Sequence, residues 1–257
     1  MKVALLAGGL GTRIREETEF RPKPMVFVGG KPILWHIMDR YAASGFNRFV
    51  VCAGYRGEII REYFREFQSM NSDFTVKLGA KQEIQYHDQF EEQGWEVTVT
   101  DTGEKTMTGG RLFKARRFLE DDTFLCTYGD GLADIDLKKL IEFHKSHGKI
   151  ATITAVRPVS RFGVLDLSTS NAVNQFREKP QADGWINAGF FIFNKSIFNY
   201  LDENSILENE PLAALASENQ LMAYRHKGFW QPMDTFRELT ILNELWDSGQ
   251  APWSARK

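Results

Sequence analysis

The sequence predicts an α/β fold in which a Rossmann-like, mainly parallel sheet is flanked by helices. Up to Val156, short apolar runs alternate with amphipathic helical patterns, the order that produces parallel strands. Lys2–Ala7 and Arg48–Ala53 are apolar after their first residue, which is typical of strands buried on both faces. The chain contains no internal repeat, low-complexity segment or Pro- or Ser-rich linker, so we expect one domain over residues 1–257.

Local signals justify the individual elements. Pro32–Ser44 is predicted to be a helix because proline stands near its start and Gly45 follows it. Glu58–Phe67 has its apolar side chains on one side and is predicted to be an amphipathic helix. The other predicted strands and helices of this half are, in chain order, Thr98–Thr100, Arg111–Leu119, Thr123–Tyr128, Leu137–His147 and Ile150–Val156.

The later segments have a different character. Phe74–Val97 is polar and irregular, and we interpret it as an insertion, either a hairpin or a lid. Three β-rich runs, Phe162–Leu167, Ala172–Phe176 and Trp185–Phe193, either extend the sheet or form a smaller antiparallel layer. Thr235–Trp246 is predicted to be a helix that packs on the core or on a neighbouring subunit.

Composition excludes several classes of protein. Lys and Arg number 32 and Asp and Glu 34, so the chain lacks the basic excess of a nucleic-acid binder. Hydrophobic residues make up 42 %, which excludes a disordered chain. No run approaches the ~18 apolar residues of a membrane span. Cys52 and Cys126 stand inside apolar runs, which indicates buried free thiols and, with no clear signal peptide at Met1–Leu10, a cytoplasmic protein.

A glycine-rich loop follows the first strand. Its three glycines within four positions, Gly8, Gly9 and Gly11, let the backbone approach a ligand and present N–H groups to it. A plain strand–helix turn fits the glycines equally well. The loop is neither a G-x-G-x-x-G fingerprint nor a P-loop, which argues against a dinucleotide-dependent oxidoreductase.

Positive charge next to this loop favours a phosphate site. Arg13 follows the glycines directly, and Lys23 stands between Pro22 and Pro24, which restrict the backbone on both sides. An arginine fork and a lysine point charge near glycine N–H groups are suited to a polyphosphate.

Two carboxylates are candidate ligands of a hard cation such as Mg²⁺, which takes one or two protein carboxylates and keeps substrate phosphates as further ligands. Asp130 stands between two glycines directly after the predicted strand Thr123–Tyr128, although a turn or a helix cap explains it as well. Asp234 precedes the last predicted helix and fits an N-cap equally. Their spacing alone does not pair them.

Further polar groups occur in the β-rich part. Glu178 and Lys179 precede Pro180 and are suited to a sugar hydroxyl and a phosphate, or to a surface ion pair. Asn187 and Gly189 interrupt an apolar strand, which indicates close approach of a ligand. The histidines are given structural roles, His144 and His147 on a solvated helix face and His36 in the core or at an interface.

Together these motifs carry a resemblance to a known family. The loop Leu6–Arg13 with Pro22–Met25 resembles the signature of sugar-1-phosphate nucleotidylyltransferases. Further blocks are similar to the glucose-1-phosphate cytidylyltransferases within that family: Gly29–Met38, Asp101–Leu112, Thr127–Asp134, Arg161–Asp166, Glu178–Pro180 and Phe229–Thr235. The resemblance implies the nucleotide-diphospho-sugar transferase fold with a smaller, β-rich sugar-binding part. The region Gln82–Gly94 departs most from the family pattern.

The resemblance also implies an activity and a set of site residues. The reaction would join CTP and α-D-glucose 1-phosphate to CDP-glucose and pyrophosphate with Mg²⁺, in a homo-oligomer (trimer or hexamer) that supplies O-antigen and lipopolysaccharide biosynthesis. The implied nucleotide-binding residues are Leu6, Ala7, Gly8, Gly9, Gly11, Thr12, Arg13, Lys23, Glu104, Gly109 and Gly129. The implied sugar-phosphate residues are Tyr128, Glu178, Lys179, Asn187 and Gly189. Asp130 and Asp234 would hold the metal, and Arg13, Lys23 and Asp130 would be catalytic. The same reaction with dTTP or UTP, or a non-catalytic nucleotide-sugar binding protein, is the alternative.

Overall fold

The computed structural model describes residues 1–11, 14–79, 83–87, 92, 94–159, 162–178 and 181–254. In this part of the chain a seven-stranded sheet has the spatial order β7-β5-β6-β4-β1-β2-β3. Strand β6 runs antiparallel to β4 and β5, and every other neighbouring pair is parallel. In chain order the strands are Val3–Ala7 (β1), Arg48–Ala53 (β2), Glu96–Asp101 (β3), Thr123–Tyr128 (β4), Ala151–Val156 (β5), Ile186–Asn194 (β6) and Leu221–Arg225 (β7). The predicted α/β fold with a mainly parallel sheet is confirmed.

Helices cover both faces of this sheet because its strands are apolar on both sides. Val3, Leu5 and Ala7 of β1 belong to one buried cluster, and Ala4 and Leu6 belong to the other. Helices α2, α6 and α8 pack into the first cluster, and α5 and α7 pack into the second. The helices are Arg15–Thr18 (α1), Ile33–Ala42 (α2), Gly57–Arg65 (α3), Phe67–Asn71 (α4), Thr108–Ala115 (α5), Leu137–His147 (α6), Glu210–Ser217 (α7) and Phe236–Asp247 (α8), with 3₁₀ turns at Lys23–Met25, Arg116–Phe118 and Lys195–Tyr200.

Most predicted elements are confirmed, several of them to the residue. The helix Leu137–His147 begins at Asp136, whose side chain caps the backbone N–H of Lys139, and ends at Gly148 in the left-handed region. The predicted helix Arg111–Leu119 begins earlier in the structure, at Thr108. The prediction missed this first turn because it contains two glycines, which are poor helix formers. The predicted helix Glu58–Phe67 is divided into α3 and α4.

The two interpretations of the β-rich segments hold for different strands. Ile186–Asn194 joins the large sheet as β6, whereas Val164–Leu167 and Val173–Arg177 form a separate antiparallel ribbon whose side chains are exposed. The predicted insertion contains an exposed hairpin, Phe74–Lys77 with Glu83–Tyr86. Among the described residues, no helix is long and apolar enough to cross a membrane.

Buried polar residues revise one prediction. Cys52 and Cys126 are buried free thiols, as predicted. His36 is buried in the core and contacts the Val28 carbonyl at 2.7 Å. The prediction of a solvated His144 is wrong, because its ring is 3 % exposed and contacts Thr152 Oγ1 at 2.8 Å.

Candidate active site

A cleft of about 470 Å³ opens beyond the carboxyl ends of strands β1 and β4. Ligand sites of open α/β sheets lie at this edge. The predicted site residues that line it are Leu6, Gly8, Gly9, Gly11, Lys23, Glu104, Tyr128, Gly129, Asp130 and Asp234. The other lining residues are Leu10, Pro24, Lys105, Thr106, Met107, Thr108 and Arg111.

One end of the cleft, which we call the carboxylate end, consists of Lys23, Asp130 and Asp234. The Lys23 ammonium donates to Asp130 Oδ2 at 2.6 Å and to Asp234 Oδ1 at 2.7 Å. The lysine side chain is only 10 % exposed, whereas the two carboxylates are 32 % and 24 % exposed. Burial lowers the pKa of Lys23, but the charges and hydrogen bonds of both aspartates outweigh burial and raise it above its ordinary value. The ammonium therefore stays charged at neutral pH.

Backbone pairing brings the two aspartates together. A short ribbon pairs Gly131–Ala133, directly after Asp130, with Trp230–Pro232, directly before Asp234. The backbone N–H of Met233 also donates to the Asp130 carbonyl at 2.8 Å. The spacing of Asp130 and Asp234 in the sequence does not predict this ribbon, which is why the sequence alone did not place the two carboxylates together.

Asp234 does not cap the last helix. Thr235 is the N-cap of helix α8, in a capping box with Glu238. The backbone N–H of Asp234 donates to Glu238 at 2.7 Å, and its carboxylate accepts from Lys23 in the cleft. The capping alternative for Asp234 is therefore wrong, and its side chain belongs to the site.

The carboxylate end fits a hard divalent cation. Each carboxylate is exposed toward the cleft, and Lys23 bonds one oxygen of each. No group of three or more metal-ligating side chains occurs among the described residues. Two carboxylates are nevertheless the set from which Mg²⁺ is commonly bound, with the remaining ligands supplied by water and substrate phosphates.

The glycine loop forms the wall next to this end. Gly8 and Gly9 line the cleft directly after β1, while Ala7 is fully buried in the strand. The Gly8 carbonyl accepts from the Tyr55 backbone N–H at 3.2 Å and from the Arg111 guanidinium at 2.8 Å. The predicted residues Thr12 and Arg13 lie outside the described residues.

A second group of side chains, which we call the tyrosine end, is held by hydrogen bonds to the Glu208 carboxylate. The hydroxyls of Tyr128 and Thr108 both donate to this carboxylate, the second at 2.6 Å. The Asn187 amide donates to the Tyr128 hydroxyl at 3.2 Å. Burial and the Glu208 charge raise the pKa of Tyr128, so its hydroxyl keeps its proton.

Asn187 and Gly189 support the tyrosine end from behind. The Gly189 backbone has a φ of +82° and donates its N–H to Asn187 at 2.7 Å. A Cβ at Gly189 would lie 2.4 Å from the Tyr128 ring, so only glycine allows the ring this close to the strand. The group that approaches Gly189 closely is the chain's own Tyr128, and the predicted approach of a ligand to Asn187 and Gly189 stays a prediction.

Two further predicted residues do not line the cleft. Glu178 is exposed at the end of the ribbon strand Val173–Arg177, and Gly109 lies in the first turn of α5 against Ser205. Lys179 lies outside the described residues.

Sequence reasoning missed Arg111 and Glu208 as site residues. Arg111 is 4 % exposed, and its fork bonds backbone and hydroxyl oxygens around the glycine loop. Arginine is rarely buried, so nothing in its type predicted this place. Glu208 is one of four acidic residues in the stretch 202–210, and the sequence does not distinguish it from the others.

The sheet order, the glycine loop and the carboxylate end define a nucleotidyl transferase. The family model "Nucleotidyl transferase" matches residues 2–240, and the chain belongs to that family. Within it, the chain is 50 % identical over 256 residues to the glucose-1-phosphate cytidylyltransferase of Salmonella typhi, covering 98 % of each chain. The Salmonella typhimurium enzyme of the same name matches with the same identity and coverage. The crystal structure of HddC from Yersinia pseudotuberculosis is 25 % identical with a TM-score of 0.68, over 95 % of this chain and 99 % of that one.

Proposed function

We propose that this protein transfers a cytidylyl group from CTP to α-D-glucose 1-phosphate, giving CDP-glucose and pyrophosphate. The observation that carries the proposal is the cleft in which Lys23 joins Asp130 and Asp234 beside the glycine loop. Full-length similarity to glucose-1-phosphate cytidylyltransferases supports the choice of substrates.

The reaction needs alignment and charge neutralisation more than proton transfer. An oxygen of the sugar phosphate attacks the α-phosphorus of CTP, and the bond from that phosphorus to the β-phosphate oxygen breaks to release pyrophosphate. With a second pKa of ~6, the sugar phosphate is already largely ionised at neutral pH, so no general base is required. The two reacting anions repel each other, and we assign to Lys23, Arg13 and Lys179 the positive charge that offsets this repulsion.

Members of this family generally use a divalent metal ion. We infer that the ion is Mg²⁺ and that Asp130 and Asp234 hold it. When bound, Mg²⁺ neutralises phosphate charge and polarises the phosphoryl oxygens. The chain's own part is to keep the two carboxylates facing the cleft, which the backbone pairing of their ribbon and the ammonium of Lys23 both do.

The proposal is tested by pyrophosphate release from a panel of CTP, dTTP, UTP, GTP and ATP with glucose 1-phosphate and Mg²⁺. We expect CTP to give the highest kcat/KM, and CDP-glucose to appear by mass spectrometry. Faster turnover with dTTP or UTP would show that one of these nucleotides, and not CTP, is the substrate. Calorimetric binding of nucleotide or CDP-glucose without any turnover would instead support a non-catalytic binding protein.

We also propose that the protein is a cytoplasmic homo-oligomer, a trimer or hexamer, that supplies CDP-glucose for O-antigen and lipopolysaccharide biosynthesis. The exposed apolar side chains of the ribbon support association, since Leu165, Leu167, Val173 and Phe176 are all more than half exposed. Light scattering after size-exclusion chromatography measures the subunit number. A protein that stays monomeric at micromolar concentrations would contradict the proposed oligomer.

A further inference from the structure

Trp253 is a buried tryptophan behind the carboxylate end, and the proposed reaction gives it no part. Its side chain is 1 % exposed, although it stands shortly after helix α8, and it does not line the cleft. Gly249 takes a φ of +70° after α8 and donates its backbone N–H to the Trp246 carbonyl at 2.9 Å, which ends the helix and turns the chain. The segment after this turn places Trp253 in the first buried cluster.

Trp253 packs against the short ribbon that pairs Gly131–Ala133 with Trp230–Pro232. Its ring centroid lies 5.5 Å from that of Phe229, which directly precedes the second ribbon strand. The Phe229 carbonyl accepts from the Asp134 backbone N–H at 3.2 Å and so extends the pairing by one step. Trp253, the first ribbon strand and helix α2 line a void of only about 10 Å³, so the short ribbon has little room to move toward the tryptophan.

Trp253 also bonds a buried histidine. Its indole N–H donates to His36 Nδ1 at 3.4 Å, and His36 Nε2 lies 2.7 Å from the Val28 carbonyl. Because an indole N–H only donates and a carbonyl only accepts, His36 carries its proton on Nε2 and donates to Val28. Val28 lies in the short strand that follows the turn Lys23–Met25. The tryptophan is therefore connected to the segment of the lysine as well as to the short ribbon.

We propose that Trp253 is a positioning residue that fixes the short ribbon, and therefore the two aspartates, relative to Lys23. The ammonium bonds one oxygen of each carboxylate at 2.6 and 2.7 Å, and this arrangement requires that the ribbon and the lysine segment keep their separation. Trp253 contacts the ribbon directly and the lysine segment through His36. The effect on catalysis rests on the proposed function, whereas the effect on the ribbon itself does not.

The kinetic test compares Trp253→Leu with Phe193→Leu. Phe193 is equally buried, but it belongs to the second cluster and pairs with the start of β4, at the edge of the sheet away from the cleft. In Trp253→Leu we expect kcat to fall about tenfold, because misplaced groups at a reacting centre cost rate. The KM for CTP and for glucose 1-phosphate should stay within about threefold.

Two further variants show whether the ring against the short ribbon is what matters. Phe193→Leu should lower the unfolding midpoint about as much as Trp253→Leu does, yet leave kcat within about twofold of wild type. Trp253→Phe keeps an aromatic ring next to Phe229 and should hold kcat within about threefold.

Hydrogen exchange measured by mass spectrometry follows the short ribbon without turnover or metal. The Met233 N–H donates to the Asp130 carbonyl at 2.8 Å, which closes the short ribbon beside the two aspartates. In Trp253→Leu, this amide and the other amides of the short ribbon should exchange roughly tenfold faster than in Phe193→Leu, because their local opening becomes easier.

Equal exchange of the short ribbon in Trp253→Leu and Phe193→Leu overturns the inference, whatever happens to kcat. Equal kcat in these two variants also overturns it if the wild type is active. Where Trp253→Leu does not fold, Phe229→Leu removes the other ring of the same contact at a partly buried position, and unchanged ribbon exchange in that variant overturns the inference. Wild type that turns over no nucleotide refutes the proposed function, and the exchange experiment then decides this inference alone.

Discussion

The two ends of the cleft hold their side chains by different forces. At the carboxylate end, Lys23 lies between Asp130 and Asp234, and opposite charges meet at 2.6 and 2.7 Å. At the tyrosine end, hydroxyl and amide groups of Tyr128, Thr108 and Asn187 are ordered around the single charge of Glu208.

This difference separates two tasks. A cluster of mutually attracting charges is suited to a substrate whose charge changes during reaction, because it is already oriented when the transition state forms. A network of neutral donors around one carboxylate orients hydroxyl groups and discriminates by geometry. Under the proposed function, the carboxylate end acts on the phosphates and the tyrosine end on the sugar, so changes at the two ends should alter different kinetic constants.

The largest effect is expected at the carboxylate end. Asp130→Asn and Asp234→Asn each remove one charge that holds Lys23 and, under the proposed function, one ligand of the metal ion, so kcat should fall by roughly 10²-fold or more. Steady-state pyrophosphate release at saturating CTP, glucose 1-phosphate and Mg²⁺ measures this fall.

The matched control is Asp247→Asn, which changes the same side chain at the exposed end of helix α8 and should leave kcat within twofold of wild type. Near-normal kcat in Asp130→Asn or Asp234→Asn would show that this residue does not hold the metal ion. It would also contradict the proposed division of tasks between the two ends.

The next effect concerns the sugar phosphate. Lys179→Ala should lower kcat/KM for glucose 1-phosphate by about tenfold, because it removes a cation assigned to that phosphate. The KM for CTP should change little. The exposed Lys195 supplies the control, since Lys195→Ala should alter neither constant. An unchanged kcat/KM in Lys179→Ala would contradict the assigned role.

A smaller effect is expected at the tyrosine end. Glu208→Gln replaces a charged acceptor of two hydroxyls by a neutral one, so Tyr128 loses orientation and the KM for glucose 1-phosphate should rise a few-fold, about what one charge-assisted hydrogen bond contributes. The value of kcat should stay within about threefold.

The chain provides a close control for this substitution. Glu218 accepts a hydrogen bond from Tyr200 at 2.5 Å, at an exposed place outside the cleft. Glu218→Gln should leave the KM for glucose 1-phosphate unchanged. Equal effects of Glu208→Gln and Glu218→Gln would show that the tyrosine end does not orient the sugar.

Two residues of the carboxylate end carry sequence signals of their own, whereas Glu208, the shared acceptor of the tyrosine end, carries none. Lys23 between two prolines and Asp130 between two glycines carry their signals in short, local patterns that restrict or free the backbone. Glu208 and Arg111 carry no such signal, because their roles depend on which distant strands lie side by side. The same limit applies to Asp130 and Asp234. Their distance along the sequence does not show that they meet, because the ribbon that brings them together pairs two distant segments.

The fold was predicted correctly where local patterns decide the structure, and incorrectly where tertiary contacts decide it. The parallel strands and their helices are local patterns, and Thr123–Tyr128 and Leu137–His147 were predicted to the residue. Helix α5 was predicted to begin three residues too late because Gly109 and Gly110 are poor helix formers, and tertiary contacts with the segment at Ser205 override that propensity.

The smallest predicted effect concerns a third polar network, which resembles the tyrosine end but lies away from the cleft. His144 contacts Thr152 and Asn194 while almost fully buried, and His147 contacts the same threonine at 2.8 Å. Burial lowers the pKa of both histidines in the folded chain. Below pH ~6.5 the unfolded chain therefore binds protons that the folded chain does not, and stability that is fully present above that pH is lost as the pH falls.

Thermal unfolding of wild type at pH 7.5, 6.5 and 5.5 should give a decreasing Tm, and His144→Gln should flatten this dependence while kcat at pH 7.5 stays unchanged. His87→Gln, at an exposed position, should keep the wild-type slope. A Tm that is constant over this range, or an unchanged slope in His144→Gln, would contradict the prediction. Loss of activity in His144→Gln at pH 7.5 would mean that this network is coupled to the cleft, and a neutral network would then influence catalysis from outside the site.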